Sequence, residues 1–321
     1  MIVKWRKIGK IFDPTEHNLP IGCIEFAQSP QTIVFDNFIR IYFSTRKKDK
    51  TGKFLSYVCY VDVSKDFKKI ITVSSKPVIE LGGLGDFDEH GIFPMNVVKD
   101  KKQNRILAYT TGWNRRVSVS VDASVGAAIS YDNGVTFQKV GKGPVLTSSL
   151  HEPFLVGDAF VKIYGGVYHM WYIYGIRWIK NSQTSPPDRV YKIGHAISED
   201  GIAWKKEGRQ IIADKLHSDE CQALPTVIFY DDRYHMFFCF RQTFDFRNNK
   251  ENSYRIGYAY SDDLVNWVRD DQNAGIDVSE NGWDSEMLAY PHVFECDGNI
   301  YLLYNGNEFG KFGFGLAILE T

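Results

Sequence analysis

The sequence predicts an all-β fold, a five-bladed β-propeller with four strands to each blade, and three observations predict it. First, one register recurs: Glu25 to Pro30 in EFAQSP, Glu89 to Pro94 in EHGIFP, Glu220 to Pro225 in ECQALP and Glu286 to Pro291 in EMLAYP. EPFLVGD is a degenerate copy, with Glu152 five residues before Gly157 and Asp158 next to it. The glutamates are 64, 63, 68 and 66 residues apart, and self-similarity at one period implies one supersecondary unit used repeatedly. Second, each copy leads into a hairpin pattern, such as TIVFDNFIRIYFS or TVIFYDDRYHMFFCF, with period-2 alternation and aromatic enrichment. Third, a later strand in three of the units ends in Ser-x-Asp, a turn and an aromatic residue, as in SEDGIAW.

The elements follow in order. The inner strand begins after the glutamate, and Asp36-Asn37, Gly165-Gly166, Asp231-Asp232 and Asp297-Gly298 are pairs suited to tight hairpin turns. The third strand ends at the turn that holds Asp132, Asp200 or Asp262, where an aspartate side chain tightens the chain reversal. Phe137, Trp204 or Trp267 then opens a fourth strand, and Trp5, Trp204 and Trp267 are expected to pack between blades. The last unit lacks its fourth strand, because the sequence stops after GFGLAILET. WRKIGKIF from Trp5 matches WKKEGRQII from Trp204, so the N-terminal strand is expected to complete the last blade and close the ring. Closure removes the free sheet edges of an open array. One domain over residues 1–321 follows.

Bulk properties exclude several classes. The formal net charge of −1 gives no overall basic field for nucleic acid. MIVKWRKIGKIF has no apolar segment of the signal-peptide kind, and no run is long enough to span a bilayer. A soluble, cytoplasmic protein with neither nucleic-acid nor membrane partners is expected. Cys23, Cys59, Cys221, Cys239 and Cys296 are odd in number and show no CxxC spacing, which predicts free buried thiols. His90, His151 and His292 are too scattered to form a metal site, and no cofactor is expected.

In a propeller blade the loop before the first strand and the loop after the second lie on one face. The repeated glutamates are therefore expected to ring one mouth of a central channel, with Asp88 and Asp158 beside them. The five-unit repeat, the SEDGIAW turn and hairpins such as YHMWYI together resemble the five-bladed propeller glycosidases, with glycoside hydrolase families 43, 32 and 130 nearest. That resemblance covers essentially the whole chain and implies glycoside cleavage by opposed carboxylates. It matches Glu220 in DECQALP to the general acid and Asp158 in VGDAF to the carboxylate that tunes the acid or binds sugar. The departure is in the first unit: families 43 and 32 have an aspartate where this chain has Gln28 and Gln31. Asp13, in an Asp-Pro pair, falls after the closing strand, so the base or nucleophile stays open among Glu25, Asp88 and Glu89.

Arginines mark the same mouth. Arg46 and Arg241 each follow their unit's glutamate by 21 residues, and Arg115, Arg116 and Arg177 end second strands as well. Guanidinium forks bind carboxylate and phosphate bidentately. With Glu286 and His292 as further substrate contacts, and Trp178, Phe244 and Phe246 as stacking surfaces, the expected ligand is an anionic or phosphorylated carbohydrate. Hydrolysis is the leading expectation. A phosphate-dependent phosphorylase and a non-catalytic sugar-binding propeller are the alternatives.

Overall fold

The inner strands are buried on both faces over most of their length, while the N-terminal strand alternates exposed residues with more buried ones, and aromatic pairs weld sheet to sheet. A computed structural model describes residues 3–320; Met1, Ile2 and Thr321, the ends of the expected domain, lie outside the described residues. After β1 (Trp5–Phe12) comes an antiparallel meander of β2 (Glu25–Val34), β3 (Ile39–Lys48), β4 (Phe54–Val63) and β5 (Ile70–Val73). The second is β6 (Gly91–Asp100), β7 (Arg105–Arg115), β8 (Val121–Ser130) and β9 (Gln138–Lys139). A single parallel bridge, Ser56 to Gly91, joins these two into one sheet. The third holds β10 (Val156–Tyr164), β11 (Val167–Ile179), β12 (Asp188–Ser198) and β13 (Lys205–Lys206). The fourth holds β14 (Cys221–Tyr230), β15 (Arg233–Arg241), β16 (Arg255–Ser261) and β17 (Val268–Arg269).

The final sheet contains β18 (Ala289–Cys296), β19 (Asn299–Asn305) and β20 (Phe314–Leu319). Its fourth strand is β1, antiparallel to β20 with Trp5 opposite Leu319 and Phe12 opposite Phe314, as the tryptophan match predicts. Among the described residues no sheet closes on itself. The inner strands pack in a cycle: β2 lies against β6, β6 against β10, β10 against β14, β14 against β18, and β18 against β2. Polar side chains bridge several of these neighbours. Asn96 Nδ2 donates to Gln31 Oε1 at 2.9 Å, Val161 N to Asn96 Oδ1 at 2.9 Å, and Val293 N to Thr226 Oγ1 at 3.1 Å. Thr32 N donates to His292 Nε2 at 3.0 Å, from the first inner strand to the last.

The aromatic at or near the start of each outermost strand packs on the second strand of the preceding sheet. Ring centroids are 5.8 Å apart for Phe137 and Tyr42, 5.6 Å for Trp204 and Tyr109, and 6.3 Å for Trp267 and Trp171. Trp5 meets Phe237 at 5.3 Å, and Phe67 meets Tyr301 at 4.9 Å. Each such pair contributes about 0.5–1.5 kcal/mol beyond its buried area. The expectation that Trp5, Trp204 and Trp267 weld neighbouring units matches this packing, and Phe137 joins them.

The four hairpins turn at the expected pairs, and Gly165-Gly166, Asp231-Asp232 and Asp297-Gly298 all have both central φ values positive. Asp36-Asn37 differs only in lacking positive φ values: Phe35 N donates to the Phe38 carbonyl at 2.9 Å across the pair, and the Phe35 and Phe38 rings stack at 4.7 Å. The turn aspartates accept backbone N–H groups, as with Asp200 Oδ1 from Ile202 and Ala203, each at 2.8 Å. In the fourth unit the acid in that role is Asp263, bonded to Ser261 Oγ at 3.1 Å. Asp262, one residue earlier, pairs instead with Arg233 at the surface. All five cysteines are free and buried. Among the described residues no helix is long and apolar enough to cross a membrane.

Candidate functional site around Asp158

Proline in the recurring register lies inside the inner strand, not at its start. Every inner strand slips register there, between Gln28 and Gln31, Ile92 and Met95, Gly157 and Phe160, Ala223 and Thr226, and Ala289 and His292. A bulge leaves a residue outside the ladder and re-aims its side chain, and proline there loses no ladder bond. The residues before Pro30, Pro94, Pro225 and Pro291 are Ser29, Phe93, Leu224 and Tyr290, and in β10 the same place belongs to Asp158, before Ala159. Ser29, Asp158, Leu224 and Tyr290 all have φ between 47° and 57°. Asp158 is thus the single acid at the bulge positions.

Its surroundings are tightly built. Asp158 N donates to Thr111 Oγ1 at 2.7 Å. Gly157 makes that approach possible, because a Cβ there would stand 2.5 Å from Thr111 Cγ2. The carboxyl is 7% exposed with its residue. Burial pushes its pKa up to about 7, against the opposing charge of Arg189 and an N–H bond from Leu224. A carboxyl so placed holds its proton near neutral pH.

Four arginines share this region. Arg241 is 3% exposed, with its guanidinium carbon 3.5 Å from the Phe246 ring centroid and Nη2 donating to Tyr191 Oη at 3.0 Å. Tyr191 Oη lies 2.6 Å from Tyr254 Oη, and the Tyr254 ring packs on Tyr290 at 5.7 Å. The Arg247 guanidinium carbon lies 4.2 Å from the same Phe246 centroid, and desolvation with the like charges of Arg241 and Arg189 pulls its pKa below the ordinary arginine value. Arg46 rests 4.7 Å from the Phe26 centroid, and burial draws its pKa down in the field of Tyr290, Arg247 and Glu25. Neither Arg46, Arg189, Arg241 nor Arg247 forms an ion pair among the described residues. Every other arginine does.

The remaining expected site residues have other places. Glu220 is fully buried away from solvent, its Oε1 accepting from Arg269 Nη1 at 2.5 Å and Gln222 Nε2 at 3.0 Å, and its Oε2 from the N–H groups of Lys215 and Leu216. Arg269 belongs to the outermost strand of the same sheet. The pattern repeats: Asp88 meets Lys139 of β9 at 2.6 Å, Glu152 meets Lys206 of β13, and Asp284 meets Lys7 of β1 at 2.8 Å. In these four sheets an acid of the approach loop is tied to a cation on the outer edge, which accounts for the recurrence of acids ahead of the inner strands. Glu89 is not the tied residue; its Oε2 accepts from Gly85 N at 3.1 Å. Glu286 is solvent-exposed and distinct from the tied Asp284.

Arg115 is held by Asp49 and the Phe54 carbonyl, each at 2.8 Å, and Arg116 by Asp122. Arg177 is paired with Asp219. None of these three is left with an uncompensated charge for a ligand. His292 directly follows the bulge pair Tyr290-Pro291, is bonded to Thr32, and lines a cavity toward the hairpin ends of the inner strands. Glu25 alone of the recurring glutamates stays beside the arginines, opposite Arg46 in the β2–β3 ladder and with no ion pair among the described residues. Sequence reasoning missed Arg189 and Arg247, which stand outside the repeat. For Arg247 the signal was the RQTFDFR stretch, with two phenylalanines between two arginines; Arg189, in PPDRVY, carries no comparable signal.

No protein-family profile matches the chain. The uncharacterized protein Rv1502 of Mycobacterium tuberculosis (strain ATCC 25618 / H37Rv) is 33% identical over 323 residues, and the alignment covers 99% of each chain. The chain belongs to the Rv1502 family. Solved structures similar to this Rv1502-family chain include a glycoside hydrolase, with TM-score 0.76 and 16% identity, covering 100% of this chain and 93% of the other. The β-1,2-mannobiose phosphorylase of Listeria innocua has TM-score 0.65 and 12% identity, with coverage of 99% and 97%. At such identities the shared property is the fold, and the Rv1502-family chain has the fold of the propeller glycosidases.

Proposed function

We propose that this protein is a carbohydrate-active enzyme that cleaves a glycosidic bond, with Asp158 as proton donor and an anionic group held by Arg46, Arg189, Arg241 and Arg247. The observation that carries the reading is the buried Asp158, protonated up to a pH of about 7, among the only arginines without a carboxylate partner among the described residues. In this scheme Asp158 gives its proton to the glycosidic oxygen as the bond to the anomeric carbon breaks, and an oxygen nucleophile takes the vacated position. Glu25 is the carboxylate left to activate a water, which makes hydrolysis the first form of the reaction. Glu220, Glu89 and Asp88 serve the scaffold in this reading.

Phosphorolysis is the second form, and the uncompensated guanidinium groups favour it, since they suit a phosphate as the attacking group. Similarity of fold to a mannobiose phosphorylase is compatible with it. The wider picture is one domain in which the five meanders are blades about a single channel, with β1 completing the last blade and closing the ring; the cyclic packing of the inner strands supports it. Five free buried thiols favour a reducing compartment such as the cytoplasm.

The test is thermal stabilisation across neutral sugars, acidic sugars, sugar phosphates and phosphate, followed by turnover assays on the glycosides that bind. A ligand selective for the folded state raises the melting temperature by mass action. Stabilisation by anionic ligands that weakens in Arg247→Ala, with product formation abolished in Asp158→Asn, is expected. Binding of neutral sugars alone would refute the arginine role, and full turnover by Asp158→Asn would refute the proton donor. Dependence of turnover on added phosphate separates the two forms.

A further inference from the structure

Past the bulges, the inner strands run toward their hairpin turns, and the channel opens there into a cavity on the side away from Asp158. Thr32, Asn96, Lys99, Phe160, Lys162 and His292 contribute to its wall. Two nitrogen donors meet this cavity without acceptors.

The first is His292, 3% exposed. Its Nε2 lies 3.0 Å from the backbone N of Thr32 and 2.8 Å from Thr32 Oγ1. A backbone N–H can only donate, so Nε2 is the bare nitrogen and a neutral ring carries its hydrogen on Nδ1. The ring is neutral because burial, together with the charge of Lys162, pushes its pKa down to about 3. Nδ1 is buried and has no hydrogen-bond partner. Leaving a buried donor without an acceptor is costly.

The second is Lys162. Its backbone neighbour Val161 is fixed by the bond to Asn96, which aims the next side chain into the same space. Among the described residues the Lys162 ammonium makes neither a hydrogen bond nor an ion pair. Its nearest ring is Phe160, with Nζ 5.9 Å from the centroid. The acids of the wall form no ion pair with it, and Glu295 acts on it only through its charge at a distance. Asp100 is taken by Arg105 at 2.9 Å and Tyr168 at 2.5 Å, and Glu199 and Glu295 stand at the exposed rim. Lys99, Lys101 and Lys102 add positive charge to the same opening.

We propose a second ligand site at the hairpin end of the channel, where an oxyanion is bound between the Lys162 ammonium and the His292 Nδ1–H. The donors specify the class: both give hydrogen, so a metal cation has nothing to coordinate, and a lone water would leave the ammonium uncompensated. A phosphate, sulfate or carboxylate group satisfies both. The site is independent of the chemistry at Asp158.

Calorimetric titration at constant ionic strength tests the site, with inorganic phosphate and a glycuronate as separate probes. The proteins compared are wild type, Lys162→Met, Lys162→Arg and Arg247→Ala. Binding that persists in Arg247→Ala, weakens about tenfold or more in Lys162→Met and is kept in Lys162→Arg supports the proposal. For binding that depends on Lys162, phosphate alone identifies a free tetrahedral oxyanion and glycuronate identifies a carboxylate; either supports it. Binding unchanged in Lys162→Met but lost in Arg247→Ala overturns it, as does the absence of binding by both probes in wild type. A crystal soaked in selenate gives a second readout: anomalous density between Lys162 and His292 is expected, and density only among the mouth arginines overturns the assignment.

Discussion

Asp158 carries two predictions. Its pKa is raised from the usual aspartate value of about 3.9 to about 7, so the unfolded state releases this proton at lower pH than the folded state. The stability associated with it is fully present below about pH 4 and is lost as pH rises to about 7. Asp158→Asn cancels that loss, on the order of 4 kcal/mol at most, and its melting temperature is expected to gain on wild type between pH 4 and 7 and run parallel above pH 8. Turnover by wild type should fall above pH 7, and Asp158→Asn should reduce it by about 10²–10⁴-fold. Glu220 behaves otherwise. Removing one partner of a buried ion pair costs about 3–5 kcal/mol, so Glu220→Gln is expected to lower the melting temperature, while the protein that stays folded keeps its ligand affinity. Ligand binding and unfolding measured on the same sample check this.

At the scale of elements, the inner strand and its bulge set the site. Gly157→Ala places a methyl group against Thr111, moves the β10 bulge and is expected to lower kcat while leaving the fold intact by circular dichroism. Hairpins, Ser-x-Asp turns and inter-sheet aromatics are local devices, which is why they were legible in sequence. The recurring acids were legible as a repeat, but the cations that hold them were not. Side chains one or two residues apart in the approach loop exchange roles, so Asp88 and Asp284 are tied where Glu89 and Glu286 mark the register. Which acid meets the outer cation depends on loop geometry, and no spacing rule encodes it. Arg115 and Arg177 were misleading for a related reason: a strand end fixes the place of an arginine but not its neighbours, and Asp49 and Asp219 are far away in sequence.

For the whole molecule, β1 is the decisive segment. It supplies Trp5 to the packing against Phe237, Lys7 to Asp284, and the ladder that covers β20. Deletion of residues 1–12 is expected to expose the β20 edge and yield aggregates, detected by size-exclusion chromatography. The match between WRKIGKIF and WKKEGRQII made this pairing readable across nearly the length of the chain, because the same outer-strand environment selects the same residues. Arg189 and Arg247 had no such counterpart, so the four-arginine grouping emerges only when the loops after the second strands come together.

The ties between approach loops and outer strands also change how a loss of activity should be interpreted. An alanine scan of the acids ahead of the inner strands would return several inactive variants, and most would be inactive because a sheet had lost the brace between its inner and outer edges. Counting catalytic acids by such a screen in the Rv1502 family would inflate the number, unless every assay is paired with a measure of the folded fraction.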